Sequence, residues 1–190
     1  MVKRWIKYLS MIKINMGCGW RNFGSDWIHI DSGDYEHVDY ASITDLSQFD
    51  DNCVDLIYAS HVLEYFDREE AVPLLKEWYR VLKNNGKLRI AVPDFKIMAS
   101  LYDAGKFPLD NFIGPLYGRM CMGETLIYHK CVYDFETLKK LLNTCNFVDC
   151  GLYDWRETEH RAFDDHSQAY LPHMDKKNGT LISLNVECTK

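Results

Sequence analysis

The stretch KINMGCG (Lys13 to Gly19), followed by WIHID (Trp27 to Asp31), decides how this chain is read. The first is a short apolar run that breaks into a Gly-x-Gly turn, where missing Cβ atoms let the backbone approach a ligand and leave N–H groups pointing outward. The second ends in an acidic residue. A carboxylate at the tip of a strand beside such a turn is placed to accept hydrogen bonds from both hydroxyls of a ribose. Together the two features describe a nucleoside site at the carboxyl edge of a sheet. The bland alternative is a tight turn at Gly17 and Gly19 with a solvated Asp31, and on these residues alone both readings stand open.

Outward from this stretch, Ile12 to Met16, Trp27 to Asp31, His37 to Ala41 and Val54 to Ala59 are β-rich and bounded by Gly, Asp, Asn or Ser, which predicts successive strands. At Asp67 the pattern changes. Asp67 and Glu70 form a D-x-x-E capping signal, and Val72, Leu75, Tyr79 and Leu82 share one helical face up to a stop at Asn84-Asn85-Gly86. Lys87 to Val92 then reads as a buried strand ended by Pro93, and Asp134 caps a helix with Phe135, Leu138, Leu141, Leu142 and Cys145 on its inner stripe. This alternation of strand and helix implies a parallel sheet. Ten residues, Gly17 to Asp26, separate the first two strands. A helical parallel crossover needs about a dozen or more, so the first crossover is predicted to be shortened or replaced by a loop.

The segment Phe95 to Lys130 is interrupted by Gly105, Pro108, Gly114, Pro115, Gly118 and Gly123, which predicts short helices and a lid-like cover rather than a second core. Two further strands, Phe147 to Trp155 and Thr180 to Cys188, are joined by a polar, His-rich connection from Arg156 to Gly179. So long a connection inside a compact domain is more often functional than idle. Asp164, Asp165, His166 and Asp175 are irregularly spaced and read as a solvated loop, so no metal site is expected.

The 190 residues suit one domain. Lys and Arg total 22 against 28 Asp and Glu, a net charge of −6, and no basic stripe collects, which argues against duplex nucleic acid as a partner. No apolar run approaches the ~20 residues that span a bilayer, and the opening MVKRWIKYLSMIKIN has neither an apolar h-region nor a small-residue cleavage site. Seven cysteines without a C-x-x-C pair suit reduced thiols, so a cytoplasmic protein without membrane attachment is expected.

Four motifs in order resemble the class I S-adenosylmethionine-dependent methyltransferases. NMGCG resembles their Gly-rich loop, and HID their ribose-binding strand end. DLSQFDDNCVDLIYASHVLEYF resembles their fourth-strand region, and EWYRVLKNNGKLRIAVPD the segment that follows it. The resemblance spans Lys13 to Asp94, and within the superfamily the chain is similar to a small, poorly characterised branch. It implies a Rossmann-like, mostly parallel seven-stranded sheet with an antiparallel C-terminal strand, and S-adenosylmethionine as cofactor. It also implies that Gly17, Cys18 and Gly19 contact the methionyl and ribose portions by backbone, Asp31 the ribose, Ile43 the adenine ring, and Ala59, Ser60 and His61 the reactive end. Ser42 stands where the family commonly has an Asp for the adenine amino group, so that role passes to the neighbourhood of Ser42, Ile43 and Asp45. Tyr65 replaces a common His, and Asn84-Asn85 replaces Pro-Gly before Gly86, a turn Asn tolerates.

Methyl transfer depends chiefly on positioning: effective molarities of roughly 10⁵ M or more exceed the ~10² to 10⁴-fold typical of a general base. Cys18 as a nucleophile is the rival for its position, but no base is obviously paired with it. Where a hydroxyl or amine sheds a proton, His129, His166 and His173 are candidate bases, His129 first. His61, after the fourth motif strand, joins them. The expected acceptor is a small polar molecule, such as a sugar or sugar-containing metabolite, methylated on O or N. The alternatives are a noncatalytic S-adenosylmethionine-binding or regulatory module, and a nicotinamide-dependent oxidoreductase, whose third glycine would fall on Asn22.

Overall fold

The computed structural model describes residues 11–122 and 124–190. Most of the opening segment that argues against a signal peptide, and Gly123, lie outside them. Three strands form first: β1 (Lys13–Met16), β2 (Ile28–Ile30) and β3 (Val54–Ser60). They are parallel, with Met16 opposite both Ile30 and Ala59, so their carboxyl ends share one edge. Helix α1 (Ala71–Val81) follows and leads directly into β4 (Leu82–Pro93), which runs parallel to β3. The capping signal forms as read: the Asp67 carboxylate accepts from the N–H groups of Glu69 and Glu70, while Glu70 accepts from the N–H of Asp67. The turn at Asn84-Asn85-Gly86 survives as a left-handed Asn85, φ +64°.

Beyond β4 come α2 (Phe95–Asp103), α3 (Asp110–Tyr117), the hairpin β5 (Met120–Met122) and β6 (Thr125–Ile127), α4 (Phe135–Thr144), β7 (Val148–Leu152), β8 (Tyr170–Leu171), β9 (Thr180–Leu181) and β10 (Ser183–Thr189). The main sheet has the order β2-β1-β3-β4-β10-β7, with β10 antiparallel to both neighbours. It is the expected mostly parallel sheet with an antiparallel last strand, built of six strands among the described residues where seven were expected. The His37–Ala41 segment contributes only a single bridge, between Ile30 and Tyr40. A side chain displaces the ladder there: Asp39 accepts the N–H of His29 at 2.9 Å, and the N–H groups of Asp39 and Tyr40 both turn to the His29 carbonyl.

One face of the sheet packs Ile14, Met16, Ile57 and Ile90 against the α1 stripe Leu74, Leu75 and Trp78 and against Leu138 and Leu142 of α4. Asp134 caps α4 through a reciprocal pair with Thr137. The other face lacks a crossover helix between β1 and β2, as ten residues allow. Phe23 and Trp27 of that loop cover Leu56 and Tyr58 instead, with Tyr153 and Phe163 packed against them from the far end of the chain. His160 lies parallel to Phe23, 5.6 Å between centroids, and Phe163 stacks on Phe23 at 4.6 Å.

The Arg156–Gly179 connection is therefore a structural layer, which corrects the solvated-loop reading for Asp165, while Asp164 and His166 are exposed as that reading expects. Asp165 is buried, accepting from the Tyr58 hydroxyl at 2.6 Å and from the Ser167 N–H. Asn185 of β10 donates to the Ser167 carbonyl, which pins the connection to the sheet. A second expectation also changes. Met98 and Leu101 of α2 and Phe112 of α3 pack with Leu171 and Ile182 into a small second core. The Gly105 and Pro108 breaks fall between the two helices, so each keeps an apolar face. Only the β5–β6 hairpin, with Met120, Met122 and Leu126 exposed, keeps the character of a cover.

His160 carries a pH signature. It is 1% exposed, neither ring nitrogen has a hydrogen-bond partner, and burial holds its pKa down to about 4. The folded chain keeps it neutral while the unfolded chain protonates it below its ordinary 6.5. Its contribution is thus intact above about pH 6.5 and is lost as pH falls toward 4, by about 3 kcal/mol at the limit. Urea midpoints at pH 7.5 and 5 should drop less for His160→Leu than for the wild type. Equal drops would show that other groups set the acid limb.

Candidate active site

The shared carboxyl edge gathers most of the sequence-selected residues. The N–H groups of Gly17 and Cys18, expected to point outward, both donate to the Ile30 carbonyl, at 2.7 and 3.3 Å. Gly19 N–H donates to Asp31 Oδ2 and Gly33 N–H to Asp31 Oδ1, each at 2.7 Å. Asp31 is thus the hub that folds both loops around the strand tip. Each carboxylate oxygen spends one lone pair on the backbone and keeps another for an incoming donor. Gly17 has φ +64°, and a Cβ there would lie 2.4 Å from Val62 Cγ2. The loop is therefore pressed onto the segment that follows β3, while Gly19 faces open space.

Cys18 is buried with its Sγ 3.7 Å from His37 Nε2, a neighbour that the sequence did not reveal. Burial, then the charge of Asp31, pushes its thiol up to about 12. A thiol so far from ionisation is a poor nucleophile. Farther along the edge, Ile43 packs against the main core, and its carbonyl accepts the Trp78 indole N–H at 2.9 Å. Ser42 and Asp45 form a local turn, with Asp45 N–H donating to Ser42 Oγ and the Asp45 carboxylate accepting from Ser47 N–H. Trp20, beside the Gly-rich loop, is exposed, with the Arg21 guanidinium 4.8 Å from its ring centre.

At the end of β3, Ala59 is buried within the main core, Ser60 Oγ has no hydrogen-bond partner, and His61 takes φ +54°. That left-handed conformation is uncommon for a residue with a Cβ and is held here by a bond from His61 N–H to the Ala91 carbonyl. Next comes a residue the sequence reading passed over. Glu64, in the 3-10 turn Leu63–Tyr65, is fully buried, and neither carboxyl oxygen has a hydrogen-bond partner. His61 Nδ1 lies 3.2 Å and His129 Nε2 3.9 Å from Glu64 Oε1. The His166 ring is 5.0 Å from that of His61. The fold thus brings His61 and His129 to one carboxyl group with His166 beside His61, whereas His173 is not among these contacts. Among the described residues no three His, Cys, Asp or Glu side chains have the arrangement of a metal site.

His129 is held tightly. Its Nδ1 is 3.0 Å from the Pro115 carbonyl, which only accepts, so the ring proton sits on Nδ1 and Nε2 turns its lone pair toward Glu64. Its ring packs on Gly118, φ +52°, where any Cβ would meet Nε2 at 1.9 Å, and Tyr65 packs edge-on at 4.6 Å. Burial lowers the pKa of both His129 and His61, the latter strongly, with His166 adding to the effect on each.

Known proteins share this architecture. A methyltransferase-domain family model matches residues 27–90. An uncharacterized methyltransferase of Schizosaccharomyces pombe is 30% identical over a 129-residue alignment covering 61% of this chain and 50% of the relative. The chain thus spans about half the length of that curated relative. A S-adenosylmethionine-dependent methyltransferase structure from Archaeoglobus fulgidus superposes with a TM-score of 0.61 at 19% identity, covering 99% of this chain and 90% of that one. A Burkholderia thailandensis 1,6-didemethyltoxoflavin-N1-methyltransferase, solved with 1,6-didemethyltoxoflavin and S-adenosylhomocysteine bound, gives 0.53 at 12% identity over 94% and 70% of the two chains. The fold is that of solved S-adenosylmethionine-dependent methyltransferases, and the matched segments make this chain similar to methyltransferases of that kind, whose cofactor is S-adenosylmethionine. The residues present fit that group: an acidic strand tip with free lone pairs, open space at Gly19, and unpartnered Ser60 Oγ and His61 Nε2 at the neighbouring strand end.

The cover has a measurable consequence. Met122 Sδ of the hairpin touches Ser32 Oγ, next to Asp31, at 2.7 Å. With S-adenosylhomocysteine added, hydrogen exchange should slow across the hairpin and change little in α2 and α3, which the second core already holds. Unchanged exchange throughout 95–130 would make the hairpin a fixed layer.

Proposed function

We propose that this protein transfers the methyl group of S-adenosylmethionine to an oxygen or nitrogen of a small polar acceptor, such as a sugar or sugar-containing metabolite. The observation that carries the reading is Asp31, which ties the Gly-rich loop to the strand tip and keeps lone pairs for a ribose. In this reading Gly17, Cys18 and Gly19 frame the methionyl and ribose portions, and Ile43, with Ser42 and Asp45, forms the adenine end. Ala59, Ser60 and His61 border the reactive end. When bound, the cofactor supplies a methyl carbon on a sulfonium sulfur, which keeps the bond's electron pair and leaves as a neutral thioether. The chain's own task is then to orient the acceptor, exclude water and receive one proton.

Of the two candidate bases, the geometry favours His61. Its Nε2 is unpartnered at the strand end, whereas His129 has one nitrogen on Pro115 and the other turned to Glu64. Part of the polar connection, at His166, reaches this mouth and supplies an acceptor wall. The acidic net charge favours a small polar acceptor over nucleic acid, and the reading places the reaction in the cytoplasm. Among the described residues no helix is long and apolar enough to cross a membrane.

Calorimetric titration with S-adenosylmethionine, S-adenosylhomocysteine and NAD comes first, and binding of NAD alone would favour the oxidoreductase alternative. A screen of sugars, nucleotide sugars, small amines, peptides and RNA with a labelled methyl donor follows. Transfer only to RNA or protein would overturn the acceptor claim, and binding without any transfer would favour a regulatory module. Full turnover in both His61→Ala and His129→Ala would dispose of the histidine bases.

A further inference from the structure

Three arginines are half-buried among the described residues, and two of them are matched by acids. Arg80 bonds Glu77 and Asp51, and Arg89 bonds Glu187 and Glu159. Arg21 differs. Its Nε donates to the backbone carbonyl of Asp164 at 2.8 Å, its guanidinium carbon lies 4.8 Å from the Trp20 ring centre, and no carboxylate among the described residues bonds it. The acids beside it are spent elsewhere: Asp164 takes Lys176, and Asp165 takes the Tyr58 hydroxyl and the Ser167 N–H. In a chain of net charge −6, a partly desolvated cation without an acid is a cost to stability that a ligand can offset.

The anchor on Asp164 fixes where this cation stands. His166 lies two residues further along the same connection, and its ring is 5.0 Å from that of His61. At His166, desolvation and then the charge of Arg21 lower the pKa; at His61, burial, His166, His129 and Arg21 act in the same direction. Arg21 is therefore a neighbour of both rings at the reactive end. With Nε engaged, the edge between Nη1 and Nη2 still presents two parallel N–H groups, the fork that a carboxylate or phosphate accepts from.

We propose that Arg21 and His166 form an oxyanion subsite on the acceptor side of the reactive end, so that the acceptor carries a carboxylate or a phosphate. The proposal rests on the methyl-transfer reading above and narrows it: a sugar acid or a sugar phosphate fits, and a neutral sugar leaves Arg21 unmatched. The anion also offsets the Arg21 charge felt at His61, which makes His61 a better base once the acceptor is in place. The rival source of such a group is the methionyl carboxylate of the cofactor, because Arg21 follows Gly19 by two residues. Against it stands the anchor, which ties the guanidinium to the connection that walls the acceptor.

The test uses the full-length chain labelled with ¹⁵N-arginine and ¹⁵N-histidine, saturated with S-adenosylhomocysteine and titrated with inorganic phosphate or acetate at constant ionic strength. The Arg21 Nε–H and His166 ring signals should move saturably, the tighter anion naming the group. Read at His166, affinity should fall roughly tenfold or more in Arg21→Gln, with Arg21→Lys between. Should Arg21→Gln fail to fold, His166→Asn read at Arg21 tests the site from the other side. Phosphate that binds the free chain and is displaced by S-adenosylhomocysteine assigns Arg21 to the methionyl carboxylate and overturns the subsite. Equal movement at the exposed Arg119 marks unspecific association and does the same. In turnover with labelled methyl donor, sugar phosphates or sugar acids should outrun the matching neutral sugars, and Arg21→Gln should raise their KM roughly 10 to 100-fold with kcat little changed. Neutral sugars methylated as readily would overturn the proposal. Binding of S-adenosylhomocysteine without any anion response defeats this inference alone, while no binding of S-adenosylhomocysteine defeats it together with the methyl-transfer reading.

Discussion

Asp31→Ala should weaken binding of S-adenosylmethionine by roughly 10² to 10⁴-fold, the largest effect expected of any single substitution at the edge. Two hydrogen bonds from ribose hydroxyls to a charged acceptor are each worth roughly 1.5 to 3 kcal/mol, and about 1.4 kcal/mol is a factor of ten. The structure adds a second loss. The same carboxylate holds the N–H groups of Gly19 and Gly33, so its removal frees the two loops that frame the strand tip. Asp31→Asn keeps one acceptor oxygen and should fall between the two. Calorimetry decides the matter: an affinity unchanged in Asp31→Ala removes Asp31 from the site. An affinity lost in Asp31→Ala but kept in Asp31→Asn would mean that loop structure, rather than charge, is what the residue supplies.

Gly17→Ala should have the largest effect on stability among the edge residues, and it should impair cofactor binding as well. Left-handed backbone costs a residue with a Cβ roughly 1 to 2 kcal/mol, and overpacking a filled site adds typically 1 to 3. Here the new methyl carbon would stand 2.4 Å from Val62 Cγ2, so loop or Val62 must move. A total of about 2 to 5 kcal/mol corresponds to a Tm lowered by roughly 4 to 20 °C in a chain this long. Val62→Ala removes the struck methyl and should recover the overpacking part while leaving the backbone part. The double-mutant cycle would then show coupling of about 1 kcal/mol or more. Strictly additive effects would mean that the loop, not the Val62 contact, absorbs the change.

The parts of the fold and site that were legible in sequence are those whose chemistry is local. The Gly-x-Gly turn, Asp31 and His61 each follow their strand directly, and parallel pairing then carries them to one edge without further information. Helix ends were equally readable, because Asp67 with Glu70 and Asp134 with Thr137 satisfy backbone groups a few residues away. Glu64 was not legible as a site residue. The run His61 to Phe66, HVLEYF, shows one acid among apolar neighbours, a signal of a carboxyl that must be buried. Its second partner, His129, arrives from beyond the hairpin and is placed by contacts with Pro115 and Gly118. The 156–179 connection was read from its polar content, yet its few aromatic and buried residues decide its position. Composition averages over a segment, and packing is settled by the side chains that face the sheet. The strand expected at His37 to Ala41 failed for a related reason, since the Asp39 side chain took a backbone donor that strand pairing would have used.

The face left bare by the missing crossover helix has a consequence for the order in which this chain is assembled. Phe23 and Trp27 are covered by Tyr153 and Phe163, and Tyr58 finds its hydroxyl partner at Asp165. A ribosome that has delivered β1 through β3 has made the whole Gly-rich edge but none of the residues that close its second face. Contacts of such long sequence separation are formed late and slow a chain's collapse to one structure. The Gly-rich edge therefore cannot mature ahead of the rest. Until the last third emerges, a patch of aromatic side chains beside open strand edges remains available to chaperones or to other nascent chains.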